Sequence, residues 1–180
     1  MKFEPAGLEG VWLLPLDPHQ DERGFFSRIW SDAEMRERGL NAGLSQCSLS
    51  YNRLARTIRG MHYQAAPAQE TKIVRCIRGE VYDVLLDLRP ASATYKQWMS
   101  RELTSDNRLA LYVPEGVAHG YQTLTNDAEL LYLISAPYTP SLARGIRWND
   151  PAFRIEWPHP PAVISKRDRT YPDFGAQHEP

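Results

Sequence analysis

Apolar positions in this chain fall in short runs, not at helical spacing. Residues 72–77, 80–88, 109–113 and 129–135 are rich in Val, Ile, Leu and Tyr. Turn formers bound them, at Arg78-Gly79, Arg89-Pro90, Pro114-Glu115-Gly116 and Asn126-Asp127. Each run predicts a β-strand. One segment departs from this pattern. Ser31 and Glu34 stand at capping-box spacing, Asp32 and Glu34 fill a first turn, Arg36 and Arg38 sit near its end, and Gly39 offers a left-handed stop. That arrangement predicts one short surface helix over 31–39. Strands without alternating helices predict an all-β sandwich or barrel, not a parallel α/β sheet.

Prolines crowd toward the C-terminus, at 137, 140, 151, 158, 160, 161 and 172. Proline removes ladder donors, so residues from about 137 onward are expected to form an extended strap with little regular structure. Trp148 and Trp157 in this stretch predict that the strap packs onto the body. With no internal repeat or low-complexity linker, residues 1–180 are expected to form a single domain.

Composition narrows the class of function. The 180 residues are 42% hydrophobic and 24% charged with a formal charge of −1, ordinary globular usage that argues against disorder and against a broadly basic nucleic-acid binder. No stretch approaches the roughly 20 apolar residues that span a bilayer. The N-terminal run Val11 to Leu16 is short, contains Pro15 and lacks a cleavage-type site, so no signal peptide is expected and the expected location is the cytoplasm. Cys47 and Cys76 form no CxxC pair and read as buried small apolar residues.

Of the five histidines, His19, His159 and His178 sit beside prolines or near the terminus and read as loop residues. His62, within Arg59-Gly60-Met61-His62-Tyr63-Gln64, and His119, closing Pro114-Glu115-Gly116-Val117-Ala118-His119-Gly120, have a different setting. A tight turn ends one strand and the histidine opens the next, facing inward, where a small barrel lines its cavity. Two chemistries fit. His62, Gln64, Glu70 and His119 offer the ligands of a mononuclear metal centre, although Gln64 is a poor first-row ligand. Alternatively, His62 is a general base, since an imidazole with a pKa of about 6.5 is available unprotonated at neutral pH. Tyr132 is a candidate for the complementary acid, but residue type alone does not choose among nine tyrosines.

Six strings in order resemble the dTDP-4-dehydrorhamnose 3,5-epimerase family. They are Asp21-Glu22-Arg23-Gly24-Phe25-Phe26, Ile58 to Gln64, Lys72-Ile73-Val74-Arg75, Gly79 to Val84, Pro114 to Gly120, and Trp148-Asn149-Asp150-Pro151. The resemblance implies a cupin-type jelly-roll barrel with short peripheral helices, no metal or other cofactor, and a homodimer with strands contributed across the interface. It implies a nucleotide-sugar substrate, and neither a nucleic-acid nor a membrane partner. The base maps to His62, its supporting carboxylate to Asp168, and the acid to Tyr132. Lys72 and His119 map to groups around the sugar carbonyl and enolate, and Arg59 to a substrate-binding cation. Arg23 and Phe26 map to nucleotide-end contacts, Gln46 to a polar contact, and Tyr138 to a residue stacking on the base.

Departures from the family pattern cluster at substrate contacts. Arg28 stands where the family usually has Glu, and Gln46-Cys47-Ser48 where it has Gln-x-Asn. A family glutamate falls at or beside Ala143, and a family lysine becomes Arg167. Ser48 and Arg167 therefore join the expected substrate-binding set. The expected reaction inverts carbon 3, carbon 5 or both of a nucleotide-linked 4-keto-6-deoxy sugar, with dTDP-4-dehydro-6-deoxy-D-glucose the expected substrate. The alternatives are a mono-epimerase of a CDP- or GDP-linked ketosugar and, from another class, a metal-dependent cupin oxygenase.

Overall fold

Facing β-sheets organise the chain in the computed structural model, which describes residues 1–177. The strands are β1 (Glu4–Pro5), β2 (Trp12–Leu14), β3 (His19–Asp21), β4 (Gly24–Phe26), β5 (Gln46–Asn52), β6 (Thr57–Gln64) and β7 (Lys72–Arg78). They continue with β8 (Glu80–Asp87), β9 (Trp98–Thr104), β10 (Ala110–Val113), β11 (Val117–Thr123), β12 (Ala128–Ile134), β13 (Ala143–Gly145) and β14 (Val163–Ile164). The helices α1 (Asp32–Glu37) and α2 (Lys166–Arg169) are short.

One sheet runs β1-β2-β10-β7-β12-β5 and the other β13-β6-β11-β8-β9, with β14 added in parallel beside β6. The pairing of distant strands and the near absence of helix make this a jelly-roll-type β-sandwich. The predicted strands are present as β7, β8, β10 and β12. The predicted helix is α1: Ser31 Oγ accepts from Glu34 N at 3.4 Å, and Gly39 has φ +69°. Only half of the capping box forms, because the Glu34 carboxylate turns to the Met1 ammonium and to Arg28.

Alternation along the strands fixes which residues meet. Val74 and Cys76 on β7, Val81 and Leu85 on β8, Val117 and Tyr121 on β11, and Leu130 on β12 form the core between the sheets. Their alternates face outward and are also covered. Val84, Leu86, Met61 and Ala118 lie under Ile146, Phe153, Ile155 and Phe174 of the C-terminal strap, while Ile73, Ala110 and Tyr112 lie under Met35 of α1. Burial on both faces explains why β8 reads as a nearly continuous apolar run. Each fully buried aliphatic side chain contributes about 1.5–3 kcal/mol.

The strap is pinned as well as packed. The Gln122 carboxamide donates to His159 O at 2.8 Å and accepts from His159 N at 3.0 Å, and Trp157 Nε1 donates to Trp148 O at 2.8 Å. It carries more regular structure than its prolines imply, namely β13, β14 and α2. Two-residue strands and a four-residue helix are too short to show a period.

Two further expectations are corrected. Cys47 is exposed, although Cys76 is buried. β5 is an edge strand, and Cys47 shares its outward face with Leu49 and Tyr51, 58% and 48% exposed. His19 lies in a strand, paired with Phe26 in the β3–β4 hairpin, and not in a loop. His178 lies outside the described residues.

At the end of β8 the fully buried Asp87 carboxylate accepts from Arg89 Nε at 2.9 Å, Ser92 Oγ at 2.6 Å and Thr94 Oγ1 at 2.7 Å. Burial pushes its pKa up, but these donors outweigh that and hold it well below the usual carboxylate range. Asp87→Asn is expected to destabilise the fold toward the low end of the roughly 3–5 kcal/mol that breaking a buried pair costs, because Arg89 keeps some contact with water. A depressed folded pKa contributes stability that is present above the unfolded value of about 3.9 and is lost as pH falls through the folded value. Denaturant melts should therefore separate wild type from Asp87→Asn at neutral pH and bring them together in strong acid.

Candidate active site

Polar residues replace the apolar core at one end of the space between the sheets, around a cavity of about 610 Å³. The strand pairing that builds it depends on glycine. A Cβ on Gly60, whose φ is +132°, would stand 2.4 Å from Gly120 Cα, and one on Gly120 would stand 2.6 Å from Met61 Sδ. β6 and β11 can therefore approach here only without side chains. The same contact sets His62 directly opposite His119 across the two strands. That is the physical content of the Arg59-Gly60-x-His62 and His119-Gly120 strings.

His62 Nε2 lies 2.7 Å from Asp168 Oδ1, a residue 106 positions later in the chain. α2 delivers that carboxylate: Ser165 caps the helix by accepting from Asp168 N at 3.0 Å, and β14 holds the segment beside the start of β6. Gly60 N donates to the other carboxylate oxygen at 3.3 Å. Burial raises the Asp168 pKa, but the His62 hydrogen bond and charge, with the Gly60 and Ser165 donors, outweigh it and lower the pKa overall. An ionised Asp168 accepts from His62 Nε2, so in the neutral tautomer it is Nδ1 that carries the free lone pair. The side chain of His62 is 40% exposed, so it reaches both the cavity and solvent.

A second pair lies opposite. His119 Nε2 is 2.8 Å from Asp83 Oδ2, and Asp83 is fully buried with Oδ1 lacking a hydrogen-bond partner. Burial raises the Asp83 pKa against the lowering effect of His119 and Lys72. Lys72 Nζ pairs with Glu70 Oε1 at 3.0 Å and donates to His62 O at 3.3 Å. Tyr132 packs edge-on against the His119 ring at 5.8 Å. Burial first, then the neighbouring Tyr121 and Asp83, raise its pKa well above the usual phenol value. A phenol that burial keeps protonated and an imidazole held by a carboxylate thus line one cavity, residue types that can carry protons to and from carbon.

The expected site residues divide clearly. His62, Tyr132, Asp168, Lys72, His119, Ser48, Arg59 and Arg167 line the cavity together. Tyr138 lines an adjoining chamber of about 140 Å³ that also reaches His62, Arg167, Glu70 and Ala143. Gln46 starts β5 opposite Ile134, outside the cavity lining. Arg23 and Phe26 are on the exposed β3–β4 hairpin, where Arg23 pairs with Asp21 and Phe26 is 74% exposed. Neither reaches this chain's own cavity.

The four candidate metal ligands do not converge. His62 and His119 turn Nε2 to carboxylates, Glu70 pairs with Lys72, and the Gln64 carboxamide binds the backbone of Ala68, Pro137 and Thr139. Among the described residues no group of three or more His, Cys, Asp or Glu side chains is placed to hold a metal ion.

The family model for dTDP-4-dehydrorhamnose 3,5-epimerase matches residues 5–176. The chain belongs to this family. It is 38% identical over 175 residues to a dTDP-4-dehydrorhamnose 3,5-epimerase of Sinorhizobium fredii, covering 97% of this chain and 90% of that one. It is 35% identical over 170 residues to a dTDP-4-dehydrorhamnose 3-epimerase of Streptomyces niveus, covering 94% and 82%. A crystal structure of the 3,5-epimerase from Bacillus anthracis with TDP and pyrophosphate bound superposes with a TM-score of 0.91. That match has 34% identity and covers 96% of this chain and 99% of that one.

Residue reasoning missed Asp83, Tyr121 and the pairing role of Glu70. Asp83 had a readable signal: it is an inward carboxylate between Val81 and Leu85 on a core strand, and such a group requires a partner. Tyr121 and Glu70 gave none, since their partners are distant in sequence or exchangeable in type.

Proposed function

We propose that this chain, an isomerase of the epimerase family, inverts carbon 3, carbon 5 or both of a nucleotide-linked 4-keto-6-deoxy sugar, with dTDP-4-dehydro-6-deoxy-D-glucose as substrate. The observation that carries this reading is the convergence of the His62–Asp168 pair, Tyr132, Lys72 and His119 on one cavity. His62 Nδ1 removes the proton alpha to the keto group, and Asp168 stabilises the imidazolium that forms. Lys72 and His119 bear on the enolate oxygen, where preorganised donors in a water-poor space have their largest effect. Tyr132 then protonates the opposite face. Each pK unit between the carbon acid and imidazole costs about 1.4 kcal/mol, so a base without the enolate-stabilising groups would not suffice.

Arg59 and Arg167 stand at the cavity wall as ligands for the diphosphate, through charge-assisted hydrogen bonds. Arg59 is held ready by Asn52 Oδ1, which accepts from its Nε at 2.8 Å. Tyr138 offers the base a face in the adjoining chamber. Gln64 places it: the buried carboxamide accepts from Thr139 N at 2.7 Å and donates to Pro137 O at 3.1 Å, clamping the backbone on both sides of Tyr138. Gln64→Leu is expected to raise KM about tenfold with kcat nearly unchanged, within the 1–3 kcal/mol an aromatic–base stack supplies. Steady-state kinetics separate the two parameters.

A homodimer completes the reading. Arg23 and Phe26 lie away from this chain's cavity, and the exposed Phe25, Leu49 and Tyr51 leave an apolar hairpin and sheet edge uncovered. In the dimer the hairpin reaches the partner's cavity, and sedimentation of a single monomeric species would exclude it. A cytoplasmic location accords with the reading, and no helix among the described residues is long and apolar enough to cross a membrane.

The deciding experiment incubates the enzyme with dTDP-4-dehydro-6-deoxy-D-glucose in deuterated water and follows the sugar protons by NMR. Label at carbons 3 and 5 establishes a double epimerase, and label at carbon 3 alone establishes the single-carbon activity named for the Streptomyces relative. No label from folded protein would refute this substrate.

A further inference from the structure

Along the inner row of β7 one position departs from the core. Val74 and Cys76 are buried among apolar residues, whereas Lys72, two positions earlier on the same face, carries a charge. Glu70 stands two positions before it, with Oε1 3.0 Å from Lys72 Nζ, and the two side chains are only 12% and 9% exposed. The segment that holds Glu70 is fixed on both sides. The Gln64 carboxamide donates to Ala68 O, Ser135 Oγ accepts from Thr71 N at 2.8 Å, and Ser135 N donates to Thr71 O at 3.1 Å.

Stability does not account for this pair. Taking two charges out of water costs about as much as their attraction returns, so apolar residues of similar size would serve a core position at least as well. Placement gives a different reason. Lys72 lines the larger cavity, Glu70 lines the chamber of Tyr138, and His62 lines both. Lys72 Nζ also donates to His62 O at 3.3 Å. The ammonium is therefore held at two points, by the carbonyl of the residue whose ring takes the proton and by the Glu70 carboxylate. An ammonium has three N–H donors, so donors remain for an oxygen in the cavity. Without Glu70 one hydrogen bond is left to hold a flexible four-carbon stem. A donor that must be aimed during the reaction stabilises an enolate less than one aimed beforehand.

We infer that Glu70 is a positioning residue for the reaction: it acts through Lys72, holding the ammonium in place for the enolate oxygen. The inference rests on the reading of Lys72 as an enolate donor. Glu70 is not part of the lining of the larger cavity, so its effect on the sugar passes through Lys72.

The test follows turnover of dTDP-4-dehydro-6-deoxy-D-glucose in deuterated water, well below the melting temperature of each variant, with dTDP affinity measured alongside. Glu70→Gln keeps the size of the side chain and removes its charge. It should lower kcat about tenfold, a part of the 10²–10³ that one oxyanion donor supplies, with KM and dTDP affinity nearly unchanged. Glu70→Asp, which keeps the charge on a shorter stem, should lose less. Lys72→Met should lower kcat by about the full 10²–10³. Adding Glu70→Gln to Lys72→Met should cost nothing more, because the group through which Glu70 acts is gone.

An unchanged kcat in Glu70→Gln overturns the inference. So does the same tenfold loss in the Lys72→Met background, which would show a structural role. A loss confined to KM and dTDP affinity would place Glu70 at the nucleotide base and overturn it too. Folded Lys72→Met with wild-type turnover, or with no exchange at all, would show that Lys72 is not an enolate donor, and the inference falls with that role. If the wild-type enzyme gives no conversion, the functional reading fails first. If it converts and the Glu70 variants match it, the inference fails alone.

Discussion

His62→Asn is expected to remove deuterium exchange at the sugar carbons, lowering turnover by about 10²–10⁴-fold or more, the range that a positioned general base supplies. Asparagine keeps a donor for Asp168 but has no basic lone pair to take a carbon-bound proton. The substitution should leave the fold intact, because the imidazole it replaces is partly exposed and the strand pairing beside it rests on Gly60 and Gly120. KM should hold, since the base acts in the transition state and contributes little to ground-state binding. Asp168→Asn is the companion: it preserves shape, removes the charge that supports the imidazolium, and disturbs the tautomer that leaves Nδ1 basic. Retained exchange in folded His62→Asn protein would remove His62 from the role of base.

Tyr132→Phe should separate exchange from inversion. With the phenol gone, His62 still removes the proton, and its imidazolium, exchanged with deuterated water, can return a deuteron to the face it attacked. The label should therefore continue to enter the sugar with its configuration retained, while inverted product falls by about 10²–10⁴-fold. NMR reads both quantities in one sample, the label from loss of the proton signal and the configuration from the coupling constants. If exchange and inversion fall together, Tyr132 acts before the proton leaves carbon and is not the acid. Its high pKa supports the expectation, because burial keeps the hydroxyl protonated across the neutral range.

How legible the molecule was depends on residue type and distance. β7, β8, β10 and β12 could be read because their apolar residues are consecutive or alternate cleanly and turn formers end them. β5 and β6 could not. β5 turns Ser48, Ser50 and Asn52 to one face and Cys47, Leu49 and Tyr51 to the other, so neither face looks like a core face. β6 carries Arg59, Gly60 and His62, which serve the site and break any period. The site strands were hidden because function, not packing, chose their residues. His62 and His119 stood out through their glycine neighbours, whereas Asp168 was assigned only by resemblance. Its four-residue helix has a Ser cap but no apolar face.

The sequence by itself determined the β-rich class, the single clear surface helix, and the family through six ordered strings. These depend on local side-chain preferences and on short segments that a linear reading can see. Only the tertiary structure decided that His62 meets Asp168 across 106 positions, that His119 has its own buried partner in Asp83, and that Gln64 spends its carboxamide on the backbone beside Tyr138. It also decided that Arg23 and Phe26 stand away from the cavity their chain encloses. The physical reason is that a hydrogen bond or ion pair acts over a few ångströms of space, and strand crossover and a proline-rich strap bring those few ångströms together from residues far apart along the chain.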